Sequence, residues 1–173
     1  MKAIVCLLLI FACAPALSAK EKEVFIHPWV TPKEKGAPWI GYQSAESALK
    51  QIDEAAARDP KFAMSSEKMR ASIMPGGEFS INVQEKSEAA ANTKNITVQI
   101  TDENGKEIIR KTGPDEKPYR DGTNEPWQNN MLVSVPKKWT GTITLKVWNA
   151  LTREMWTYTV KEPAELEASI PAS

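Results

Sequence analysis

Thr142-Ile143-Thr144-Leu145-Lys146-Val147-Trp148 alternates polar and apolar side chains at every step but the last. A period of two marks a strand with one buried face. Ile143, Leu145 and Val147 take the core side, so Trp148 shares the opposite face with Thr144 and Lys146. The same pattern recurs outward in both directions: Phe79/Ile81/Val83, Ile96/Val98/Ile100, Met131/Val133/Val135 closed by Pro136, and Trp156/Tyr158/Val160. Asp102-Glu103-Asn104-Gly105 supplies a turn, with Asn-Gly suited to positive φ, and Ile108-Ile109 starts the return strand. Parallel sheets read as continuous apolar runs, whereas these strands alternate. The expectation is therefore a mostly β protein built as an antiparallel sandwich over residues 77–161.

The stretch from Ile96 to Val160 resembles an immunoglobulin-like or fibronectin-like module. The resemblance rests on a strand, the Asp-x-Asn-Gly turn, a long connection holding Trp127, a strand ending in Pro136, the Trp139-Thr140-Gly141-Thr142 corner and two closing strands. The Cys-Trp-Cys spacing of antibody-type domains is absent. The resemblance implies a fold and leaves the function open.

Upstream, the period changes. Ser44–Asp59 reads as a helix with Ser44 as N-cap and Ala45, Ala48, Leu49, Ile52, Ala55 and Ala56 on one face, ended by Asp59-Pro60. Ser65–Met74 reads as a second, shorter helix capped by Ser65 or Ser66 and stopped by Pro75-Gly76-Gly77. Residues 44–76 are thus expected as a helical segment packed on the sandwich. Residues 20–43 form a proline-rich arm. A short strand is expected at Val24-Phe25-Ile26, and Trp29 and Trp39 serve as its apolar anchors. Residues 162–173 lack a clear period and are expected as a frayed tail.

The first 19 residues carry Lys2, an apolar run from Ala3 to Ala14 and small residues at Ala16, Ser18 and Ala19, the layout of a secretory signal peptide cut near Ser18/Ala19. Ile10-Phe11-Ala12-Cys13 also has the outline of a lipobox, with Cys13 as the lipidated residue. The run is too short to span a bilayer, so no membrane-spanning segment is expected in the mature chain. Cys6 and Cys13 both lie in the leader, which leaves the mature chain without disulfide or thiolate chemistry. A domain exported without disulfides points to a periplasmic or secreted protein of the bacterial envelope.

Twenty-two basic residues balance twenty-two acidic ones, which argues against a phosphate-binding surface for nucleic acid. The single histidine, His27, has no second His or Cys to share a mature metal site, and no Gly-x-Ser-x-Gly motif supplies a nucleophile. No cofactor, metal or catalytic residue is assigned. The candidate binding residues are Trp127, Trp148, Asp121, Asn124 and Gln128. Four of them lie in Gly113–Asn130, a long polar stretch whose oxygens suit either a solvated loop or an ion. Trp148 is the fifth, because a large indole on the polar face of a strand must be covered or recognise a partner. Coverage is expected from the alanine-rich helix or the proline-rich arm.

These features support an exported, non-catalytic β-sandwich that binds or scaffolds an envelope protein or glycan. A carbohydrate-binding module using exposed tryptophans is the alternative, and a small metal-dependent or hydrolytic enzyme a third reading.

Overall fold

A computed structural model of the chain describes residues 36–161. The leader, most of the arm with Val24–Ile26, His27 and Trp29, and the tail lie outside the described residues. Seven strands form two antiparallel sheets: β1 (Trp39–Gln43), β2 (Glu78–Glu85), β3 (Ile96–Thr101), β4 (Glu107–Thr112), β5 (Trp127–Ser134), β6 (Thr142–Asn149) and β7 (Met155–Lys161). One sheet runs β1-β2-β5 and the other β4-β3-β6-β7. The described residues are mostly β, and the two sheets share one core, as in a sandwich.

The alternation read from the sequence sets what each strand buries. Ile143, Leu145 and Val147 of β6 meet Phe79, Ile81, Val83, Met131 and Val133 of the other sheet in a single cluster. Trp139 and Trp156 are buried with them. Tyr42 stacks tilted on Phe79 at 4.8 Å and edge-on to Trp139 at 5.7 Å. Burial pushes the Tyr42 phenol up to about 12. Both the Tyr42 hydroxyl (2.9 Å) and the Trp139 indole N–H (3.2 Å) donate to the Gly76 carbonyl.

Ile108 and Ile109 are adjacent, yet both are half-buried against the core. A register shift at Ile100/Thr101 explains this: Ile100 pairs with Ile109 but Thr101 with Glu107, so β4 carries one extra residue. In the turn before it, Gly105 alone takes positive φ (+78), while Asp102 Oδ1 accepts from the backbone of Asn104 and Lys106.

Two helices fill the connection between β1 and β2: α1 (Ala45–Arg58) and α2 (Pro60–Ser72). Ser44 caps α1 through Ser47 N at 3.1 Å, as expected. The second helix starts five residues earlier than the sequence suggests. Asp59 caps it through Lys61 N at 2.8 Å, and Pro60 occupies its first turn, where a missing N–H costs nothing. Asp59-Pro60 therefore ends one helix and begins the next. The helices pair as a hairpin, held by Asp53–Arg70 at 2.6 Å. Half-buried Phe62 and Met69 and buried Ser66 form the stripe of α2, continued by half-buried Ile73 just past its end. Gly76-Gly77 closes the excursion. Gly76 N donates to Val135 O, and Val135 N to Gly77 O. Gly77 has φ +76, and a Cβ there would meet Gln43 O and the Tyr42 hydroxyl.

Two further elements escaped the sequence reading. The proline-rich stretch ends in strand β1, and Ser87–Asn95 folds into a four-residue helix α3 (Glu88–Ala91) and a 3-10 turn. Strand β5 also begins at Trp127, four residues before Met131, and so takes the end of the expected loop.

Candidate functional site

The strand ends place Trp148. α1 leaves β1 at Gln43, which pairs with Glu78, and Glu46 reaches Lys138 beyond β5 at 3.4 Å. Trp148 lies at the other end of the other sheet, one residue before Asn149, whose side chain contacts Glu85 at the far end of β2. Of the two expected covers, the helical segment is therefore not the one over Trp148, because the two occupy opposite ends of the sandwich; most of the proline-rich arm, the other, lies outside the described residues. The indole is 50% exposed. Met155, its direct partner on β7, is 62% exposed. Thr97 on β3 and Thr112 on β4 complete a row across the outer face, their hydroxyls bonded at 3.0 Å. The next row is Thr157, Lys146, Gln99 and Arg110. There Glu107 accepts from Arg110 and Gln99, which hold its carboxyl below the usual range.

Trp127 belongs to a different surface. It shares strand parity with Asn129, Met131 and Val133, which face between the sheets, and it is half-buried at their edge. Arg120 lies over its ring with the guanidinium carbon 4.5 Å from the centroid. Gln128 pairs through its backbone with Tyr119 in both directions, at 2.7 and 3.0 Å, which folds the long loop back onto β5. Its side chain lies on the outer face of the three-stranded sheet. Asp121 and Asn124 are exposed in the bend that Arg120 ties to Thr123 O at 3.0 Å. The five candidates thus divide: Asp121, Asn124, Trp127 and Gln128 gather around one loop, and Trp148 stands apart on the other sheet. Trp127 and Trp148 do not form a coplanar row.

An exposed indole that the sequence reading assigned to the arm is Trp39, 57% exposed on the outer face of β1. The signal was present in Trp39-Ile40-Gly41-Tyr42, where Ile40 and Tyr42 alternate into the core. Asn82 and Asn130 lie beside it in the same row.

At the sandwich end near Trp148, Asn149 is wholly buried. Its Nδ2 donates to Glu85 Oε1 and Ala90 O, and its Oδ1 accepts from the backbone of Leu151 and Thr152. Burial raises the Glu85 carboxyl, and the charge of Glu154 adds to that. Every partner of this cluster is structural.

Among the described residues, no group of three or more His, Cys, Asp or Glu has a metal-binding arrangement, and no helix is long and apolar enough to cross a membrane. No protein-family model, curated protein or solved structure matches the chain.

Proposed function

We propose that this chain is an exported, non-catalytic binding module of the bacterial envelope that docks another envelope macromolecule through Met155–Trp148–Thr97–Thr112. The observation that carries this reading is the pairing of Trp148 with Met155, both exposed on a strand face whose neighbouring rows are threonine, glutamine and charged side chains. Covering the exposed half of an indole is worth on the order of 2 kcal/mol, enough to anchor a small interface. The fold is proposed as fibronectin-like. Strands one, two and five form one sheet and four, three, six and seven the other. Relative to the immunoglobulin constant arrangement, only the fourth strand has changed sheets.

The test is photo-crosslinking in a bacterial host with a benzophenone amino acid at Thr97. A discrete adduct in the envelope fraction that disappears when Trp148 and Met155 are both changed to Ser supports the reading. An adduct unaffected by those changes, or no adduct at all, removes it.

A further inference from the structure

The outer face of the three-stranded sheet carries a second feature. Across its middle, Trp39, Asn82 and Asn130 form one row, and Gly41, Ser80 and Leu132 the next. Gly41 leaves a gap one side chain wide beside the indole: a Cβ there would meet only Ser80 Cβ, at 3.7 Å. Ser80 Oγ donates to Asn130 Oδ1 at 2.9 Å, which leaves Nδ2 as the donor of that amide. Asn82 Oδ1 is shut from solvent and accepts no hydrogen bond, an orphan that a folded protein tolerates rarely. Gln84 and Gln128 extend the amide array toward the long loop.

We propose that this bay binds a neutral pyranose. The chemistry selects the ligand. The walls are one flat apolar ring, amides and a hydroxyl. The side chains of the two rows and the Gln84–Gln128 pair carry no charge; the nearest carboxylate on this face, Glu78 in the row beyond Gly41, is already held by Ser134, and Lys111 is held by the Leu132 carbonyl, so the bay itself favours a neutral ligand. A protein patch would bury amides against apolar groups without satisfying them. A sugar ring has an apolar face for the indole and hydroxyl edges that both donate and accept, which amides match. A ligand hydroxyl in the gap at Gly41 supplies the donor that Asn82 lacks once its amide turns toward the bay. This site lies on the opposite face from Trp148 and stands independently of the docking role proposed for that residue.

The experiment is an NMR titration of the intact chain with cellotriose and, separately, triacetylchitotriose, up to roughly 10 mM, enough to detect binding as weak as a Kd of about 1 mM. The Trp39 indole N–H, identified by its loss in Trp39→Phe, and the side-chain amides of Asn82 and Asn130 shift with one or both sugars. Trp39→Ala weakens the response at least tenfold. Gly41→Val fills the gap and abolishes it while keeping the fold, because position 41 is an extended strand residue with room for a Cβ. If Gly41→Val does not fold, Trp39→Ala decides alone, since its side chain is exposed. No shift at these groups with either sugar, or wild-type affinity in Trp39→Ala, overturns the proposal.

Discussion

Asn149 reaches from the four-stranded sheet to the three-stranded sheet and donates its Nδ2 to Oε1 of Glu85 at 2.8 Å. The same side chain serves α3 and the β6–β7 turn, so one buried amide ties three elements together. Asn149→Ala orphans the Ala90 carbonyl and two turn amides. The expected loss is about 2–4 kcal/mol in urea denaturation. Asn149→Asp replaces a donor with a charge beside Glu85, so it is expected to cost at least as much at neutral pH.

Glu85 also makes a pH signature. Its folded-state pKa is raised, chiefly by burial, so the folded protein holds a proton where the unfolded chain has lost it. Stability therefore falls as pH rises from the ordinary carboxylate range through the raised value. Glu46, Glu107 and Asp115 are lowered and act in the opposite sense, losing stability as pH falls, but they are exposed and weak. Glu85→Gln keeps an acceptor for Asn149. It is expected to flatten the decline as pH rises above the ordinary carboxylate range in a series of denaturant midpoints. An unchanged slope would contradict the assignment.

Val133, Leu145 and Val147 are fully buried in the shared core. Each change to Ala is expected to cost about 2–4 kcal/mol. Trp148→Ser, by contrast, is expected to move stability by less than about 1 kcal/mol, because the indole is half exposed and the helical hairpin lies at the other end. Protease cleavage near Arg58 or Lys61 should stay at the wild-type rate.

Arg153 is the one non-glycine residue among those described with positive φ, at 61°, in the turn closed by its N–H to Asn149 O at 2.8 Å. Arg153→Gly removes that strain and is expected to raise stability by about 0.5–1 kcal/mol in thermal melts. Gly77→Ala is expected to do the reverse by about 2–4 kcal/mol, because it adds both strain and collision with Gln43.

The strands of the core were legible because each pairs a period of two with one buried face. Even the outward direction of Trp148 follows from Val147 preceding it. The alternation of Ile40 and Tyr42 was outweighed for a local reason: Pro38 immediately precedes β1 and Gly41 lies inside it, and both argue against a strand. Here β1 is an edge strand, where a missing donor is harmless. The start of α2 was missed because Pro60 breaks α1 and equally well opens a new helix. The candidate residues were harder to group. Which loop residues approach Trp127 depends on how Tyr119 folds back onto Gln128, and Trp39 becomes a surface feature only when β1 pairs with β2. Such relations depend on long-range pairing, which local pattern does not encode.

The Tyr158 hydroxyl donates to Pro38 O at 2.6 Å across a separation of 120 residues. The residue that leads into the first strand is therefore stitched directly to the last strand. A polypeptide emerging from its N-terminus must leave the docking of β1 unfinished until β7 has appeared. The helical hairpin, built from near-neighbour contacts, has every reason to form early, whereas closure of the sandwich waits for release of the whole chain.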